Sequence, residues 1–400
     1  MQDLRPAFLA ALERALLAVR YFPESTYRVQ FHAGFTFRDA LQIVPYLHDL
    51  GITHLYASPL LQARPGSTHG YDTTSYQAFN PELGTAEDYE MLCQALQSHE
   101  MGQVLDIVPN HMGVAGNHNL WWYDVLENGP ASPYAGFFDI AWYDSLRPEM
   151  HARLLLPILG KAYGEALESQ EIRLQYAAGA FTIHYFDHGL PVAPQSYALI
   201  LEQRRDALAT FLGEAPEPLA EYDSILTAIR NLPLRSETDP ARVAESQREK
   251  EVIKRRLAAL TEANPSMRVF LEATVALCNG TSGQPESFDL LHALLQAQVY
   301  RLCHWRVASE EINYRRFFDI NELAALSMEK PEVFTATHGL ILRLLSEGKV
   351  HGVRIDHPDG LYDPQQYFQR LQKHYILGVA HRLCETDPTF QGLCAEDVST

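Results

Sequence analysis

The sequence predicts an α/β fold: a (β/α)8 barrel of which about the first half is present, with a long, mostly helical insertion after the third strand. Three observations predict it. Residues 25–111 alternate β-rich and helical segments in the order β-α-β-α-β, the pattern of a parallel sheet with covering helices. The rhythm lapses from about Met112 to Lys349, then resumes with one further strand and its helices. Charged groups gather at the ends of the third and fourth strands, where barrels place their chemistry.

The elements follow in order. MQDLRPAFLAALERALLAVRYF reads as an amphipathic helix and not a signal peptide, because charges break its apolar run and no A-x-A site lies close behind. STYRVQF (Ser25–Phe31) is rich in β-forming residues and reads as the first strand. TFRDALQIVPYLHDLG has helical spacing and a stop at Gly51, and ITHLYASPLL supplies the second strand. TAEDYEMLCQALQSHEMG opens on Thr85 with Asp88 three residues on, a capped helix that stops at Gly102. QVLDIVPNH is the third strand.

Inside the break, LWWYDVLENGPASPYAGFFDI is aromatic and turn-rich, and EIRLQYAAGAFTIHYFDH reads as a hairpin around Ala178 and Gly179. Residues from about Ser196 to Leu260 read as helical. Within them ESQREKEVIKRRLAAL has the charge spacing of a solvated face, and SFDLLHALLQAQVYRLCHWRV follows as one or two helices. PEVFTATHGLILRLLSEG (helix), KVHGVRID (fourth strand) and PQQYFQRLQKHYILGVAHRL (helix) restore the rhythm. The expected domains are 1–111, the first part of the barrel; 112–348, the insertion; and 349–400, the barrel continued, with the chain stopping before closure. The insertion divides into an aromatic and hairpin part at about 113–195 and a helical part at about 196–345.

Composition narrows the ligand. The chain is 46% hydrophobic and 20% charged, ordinary for a soluble globular protein. A net charge of −18 opposes nucleic acid and anionic membranes, whose phosphates need Lys and Arg stripes. It favours a neutral or cationic ligand. The 20 Tyr, 18 Phe and 4 Trp suit flat neutral ligands, although aromatics more often simply fill cores. The 5 cysteines are scattered, with no CxxC or Cys/His finger spacing, so neither a disulfide scaffold nor a zinc site is expected, and the compartment reads as a reducing cytoplasm. No apolar run reaches membrane-spanning length. Oligomeric partners are left open.

Three motifs carry candidate chemistry. In GVRIDHPDGLYD (Gly352–Asp363), Val353 and Ile355 share one face of the strand while Arg354 and Asp356 share the other. The latter two lie within roughly 7 Å, so Arg354 is expected to hold Asp356 ionised, the form a glycosyl nucleophile needs. The alternative is a structural ion pair closing a strand end. DIVPNH clusters Asp106, Asn110 and His111 at the third strand end, suited to directional hydrogen bonds with sugar hydroxyls. It also fits an ordinary turn, with Asp106 pairing to a neighbouring strand. GSTHGYD (Gly66–Asp72) offers Tyr71 as a stacking surface beside His69 and Asp72, or simply as a packing residue.

The order and strand-end placement of HGYD, DIVPNH and GVRIDH resemble the signature regions of the alpha-amylase superfamily. STYRVQFHAGFTF, LYASPLLQARPGSTHGYD, LLPILGKAYGE, EEINYRRFFDINELAALSME and GVRIDHPDGLYDP are similar, in the same order, to the maltooligosyltrehalose synthases of that superfamily. Pro358, Asp359 and Gly360 stand where ordinary amylases commonly carry a Lys or His. The resemblance covers about Ser25 to Leu371.

The resemblance implies an amylase-type barrel and conversion of the reducing-end α-1,4 bond of a malto-oligosaccharide to an α,α-1,1 bond, with water kept out of the pocket. It implies Asp356 as nucleophile and Arg354 as its support. Tyr71, Asp106, Asn110, His111 and His357 form the expected substrate-binding set, with Asp359 a further pocket residue and Tyr314 and Arg315 expected to grip the freed glucose. No cofactor is expected. No metal is expected either, although Asn110 matches a calcium-binding position of some amylases. The implied general acid lies on the next strand, in a run ending Glu-Lys. The late candidates are Glu385 and Glu396, neither after a convincing strand. The acid is therefore expected beyond residue 400, and the chain is expected to be an inactive N-terminal part with an open barrel edge. A plain α-1,4-glucan hydrolase or glucanotransferase, or a non-catalytic sugar-binding segment, are the competing readings.

Overall fold

A computed structural model describes residues 4–18, 22–144, 148–212, 216–233, 237 and 239–391. The chain divides into two compact units, residues 1–113 with 325–400, and residues 114–324.

The first unit is built on a four-stranded sheet in the order β1 (Thr26–Val29), β2 (His54–Ala57), β3 (Gly102–Ile107) and β4 (Gly352–Ile355). Every pairing in it is parallel. The α/β reading and each of its four strands are thereby observed. Helix α1 (Arg5–Ala18) precedes β1. Helices α2 (Phe37–Asp49) and α3 (Ala86–Ser98) connect β1 to β2 and β2 to β3, while α4 (Pro331–Ser346) and α5 (Pro364–Thr386) flank β4.

Local chemistry sets these boundaries. Asp39 accepts from the Thr36 N–H at 2.8 Å and opens α2, whose Phe37, Ala40, Val44 and Leu47 are buried at helical spacing. Thr85 and Asp88 close a reciprocal capping box on α3, with bonds of 2.9 and 3.2 Å. Arg38 then ties α2 to α3 through Asp88 at 2.6 Å, and the buried Tyr89 ties α3 to Gln103 of β3 at 2.7 Å. Leu55, Ala57 and Leu105 are fully buried on the helix-covered side of the sheet. Between β2 and α3 lies an antiparallel hairpin, Leu61–Ala63 with Thr73–Phe79, whose loop contains Gly66–Asp72.

The second unit is not all helix. Leu154–Leu159 pairs in parallel with Tyr300–His304. The latter corrects the helical reading of VYRLCHWRV, since β-rich YRLCH extends as a strand after the helix Asp289–Gln296. Ile172–Ala177 and Ala180–Tyr185 form the expected hairpin, and its two turn residues, Ala178 (φ 48°) and Gly179 (φ 82°), are left-handed. The helix Pro240–Ala263 is solvated on one side only. Ile253, Leu257 and Leu260 are buried, and Lys250 and Lys254 each bond the buried Glu127 at 2.6 Å, so two of its charges serve a buried ion pair.

Candidate active site

The site grows from the register of β3 and β4, which sets Arg354 opposite Asp106. Paired residues leave the same face of a sheet, and at period two Asp356 follows Arg354 on that face. Arg354 Nη1 donates to Asp106 Oδ1 at 3.0 Å and to Asp356 Oδ1 at 2.5 Å. One guanidinium thus bridges two carboxylates. The Asp356 N–H bonds the Ile107 carbonyl at 2.9 Å and carries the ladder one residue past β4.

Asp106 is 1% exposed, and a buried carboxylate survives only with its oxygens satisfied. Besides Arg354, it accepts from Tyr71 Oη at 2.6 Å and Tyr56 Oη at 3.0 Å. Burial and then the Asp106 hydrogen bond push the Tyr71 phenol up to about 12, so it is a neutral donor at physiological pH. Burial works against the Arg354 charge. Hydrogen bonds and attraction from Asp106, followed by those from Asp356, outweigh it and hold the guanidinium above its ordinary value.

The Tyr71 loop is shaped by Gly70 (φ 78°), where a Cβ would stand 2.8 Å from the Pro59 carbonyl oxygen. The Ser67 hydroxyl donates to Asp72 at 2.5 Å and accepts from the Gly70 N–H at 3.1 Å. The His69 and Tyr71 rings stack at 6.0 Å. His111 is fully buried, its Nε2 3.1 Å from the Tyr71 carbonyl. A carbonyl only accepts, so that nitrogen carries the proton. The buried Asn110 places its Nδ2 3.4 Å from His111 Nδ1.

The structure therefore brings together Arg354, Asp356, Asp106, Tyr71, His111 and Asn110. His357 (φ 49°) follows Asp356 directly, its Nδ1 3.0 Å from Oδ1 of the exposed Asp359. Glu385 lies on helix α5, not at a strand end, and Glu396 falls outside the described residues. Tyr314 is buried in the second unit, edge-on to Trp122 at 5.4 Å and bonded to the Asn321 carbonyl at 2.8 Å. Arg315 is paired with Asp139 at 2.7 Å in that unit.

Three residues at the site escaped the sequence reading. Tyr56 of β2 is one. Arg28 of β1 donates to Tyr71 Oη at 3.1 Å and to Gln30 Oε1 at 2.7 Å, and lies 5.4 Å from the centre of the Tyr56 ring. Gln30 donates to the Thr68 carbonyl at 2.9 Å, pinning the loop that presents Tyr71. The signal was present in STYRVQF: Arg28 and Gln30 are two residues apart, as Arg354 and Asp356 are in GVRID.

Residues 38–191 match the alpha-amylase catalytic domain family. With its parallel sheet and strand-end carboxylates, the chain has an α/β fold of the amylase type. Over 94% of its length it is 32% identical to a Mycobacterium tuberculosis protein described as a maltooligosyl trehalose synthase. Its fold matches the solved structure of maltooligosyltrehalose synthase from Arthrobacter ramosus with a TM-score of 0.59 and 32% identity, covering 89% of this chain and 34% of that one. A shorter stretch, 24% of this chain and 15% of the relative, is 38% identical to an intracellular maltogenic amylase of Bacillus subtilis. The chain thus resembles maltooligosyl trehalose synthases over nearly its whole length and carries an alpha-amylase catalytic-domain match within residues 38–191. It spans 37% of the length of the mycobacterial relative.

Proposed function

We propose that this chain carries the nucleophile side of a retaining transglycosylase that converts the reducing-end α-1,4 bond of malto-oligosaccharides to an α,α-1,1 bond. The observation that supports it best is the bridge from Arg354 to both Asp356 and Asp106 at the carboxyl ends of β4 and β3. In this reading Asp356 attacks the anomeric carbon, and Arg354 fixes one of its oxygens by the hydrogen bond from Nη1. Asp106 has its oxygens occupied by Arg354, Tyr71 and Tyr56, which fits a supporting group and not the proton donor. Tyr71 offers its ring to an apolar sugar face because its hydroxyl is engaged on both sides, by Arg28 and by Asp106. His111, Asn110 and His357 complete the substrate-binding set. The four parallel strands serve as the first part of a (β/α)8 barrel, and residues 112–348 as its insertion, in this same reading.

Attack by Asp356 is tested apart from the general acid with a glycosyl fluoride, whose leaving group departs without protonation. A 5-fluoro maltosyl fluoride is expected to leave a covalent adduct on the peptide containing Asp356, read by mass spectrometry. An adduct elsewhere would sink the assignment. On maltopentaose, the whole protein is expected to lower reducing power without releasing glucose. A rise in reducing power would favour the α-1,4-glucan hydrolase reading.

A further inference from the structure

Among the described residues of the second unit, Arg153 and Arg301 stand side by side with no carboxylate partner. Arg153 immediately precedes the strand Leu154–Leu159, and Arg301 is the second residue of its parallel partner Tyr300–His304. Tyr300 stands opposite Leu154, so Arg153 is in line with Val299, and Arg301 falls two residues on, on the same face. Both guanidiniums are anchored on Gln296, Arg153 to its carbonyl at 3.0 Å and Arg301 to its side-chain oxygen. Those acceptors are neutral. Among the described residues, no Asp or Glu forms an ion pair with either arginine. Glu165, on the helix that opens with Tyr163, and Glu171 are both held by Lys161, at 3.7 and 2.8 Å.

The pair strains against itself. Burial, and then the Arg301 charge, push Arg153 below its ordinary value. In a chain with 50 acidic and 32 basic residues, two adjacent half-buried cations without a counter-charge are unexpected. Alongside stands Tyr163, whose hydroxyl lies 2.9 Å from Nδ1 of the exposed His292. Guanidinium forks match the oxygens of a phosphoryl group, and a dianion balances two cations where a carboxylate balances one.

We propose that Arg153 and Arg301, with Tyr163 and His292 at the margin, form a binding site for a phosphoryl group, carried free or on a small sugar. This site is independent of the strand-end carboxylates of the first unit. It gives the chain a means of sensing phosphorylated carbohydrate or phosphate itself.

Phosphorus NMR titrations of the full chain, at ionic strength held constant with potassium chloride, test it. Inorganic phosphate and glucose 6-phosphate are expected to show saturable line broadening at concentrations on the order of millimolar. Equal affinities identify the phosphoryl group alone as the ligand, and tighter binding of glucose 6-phosphate identifies the sugar ester. The R153Q/R301Q variant is expected to weaken binding at least about tenfold, while R268Q, on an exposed helix face, leaves it unchanged. Should the double variant lose its circular dichroism, R301K decides, because it keeps the charge, loses the fork and is expected to bind more weakly than wild type. Three results would each overturn the proposal: no saturable response in the wild type, acetate competing as well as phosphate, or unchanged affinity in folded variants.

Discussion

Asp106 meets the demand of a buried charge with donors from two strands and a loop: Arg354 from β4, Tyr56 from β2 and Tyr71 from the hairpin loop, itself held by Arg28 of β1. Losing one partner leaves the others in place, so Tyr71→Phe is expected to cost about 1–3 kcal/mol of unfolding free energy. Asp106→Ala abandons every one of those donors and the Arg354 charge, and is expected to cost more, about 3–5 kcal/mol. Urea unfolding of the two variants checks the order, and an equal or reversed cost would contradict it. At this scale the period-two rule made Arg354 and Asp356 legible in GVRID. It could not tell which residue of which strand lies opposite. That register comes from packing of whole elements, and it turns the expected pair into a bridge that includes Asp106.

Helices α4 and α5 are locked by a polar contact inside an apolar seam. His338 stacks on Phe334 with ring centres 4.1 Å apart, and its Nε2 lies 2.8 Å from Tyr367 Oη. Burial is the main reason the imidazole is pushed down to about 4, so it stays neutral in the fold while the unfolded chain takes up a proton at its ordinary value. The unfolded state therefore binds more protons between those two values. Stability is complete above about pH 6.5 and falls toward about pH 4, by up to about 3 kcal/mol. Chemical denaturation at a series of pH values should show this slope in the wild type and lose most of it in His338→Gln. Capping is the other element-scale device. Thr85→Ala is expected to cost about 1 kcal/mol by removing the acceptor for the Asp88 N–H. That helix was legible because its start signal is local. The strand Tyr300–His304 was not, because its partner Leu154–Leu159 lies far away in sequence, and short apolar runs do not choose between helix and strand until they find a partner.

For the molecule as a whole, charge is the most legible property and the units the least. A net −18 predicts that labelled duplex DNA shows no anisotropy change with this protein at about 0.15 M salt, where the screening length is about 8 Å; saturable binding there would contradict it. No helix among the described residues is long and apolar enough to cross a membrane. The β-α-β-α-β rhythm of the first unit was readable because β1 and β2 are each followed by a helix and then by the neighbour in the sheet. The second unit mixes a parallel pair, an antiparallel sheet and helices, whose partners are separated by well over half its length, and no local period encodes that arrangement.

Gly360 closes the HPDG turn after β4, and a Cβ there would come 2.8 Å from Asn110 Oδ1. Two positions 250 residues apart in the chain are thus bound to a common inheritance. Descendants that replace Gly360 would have to shorten the side chain at 110 at the same time, so the two positions should drift together or not at all. A lineage that kept asparagine while gaining a side chain at 360 would mark a rebuilt turn.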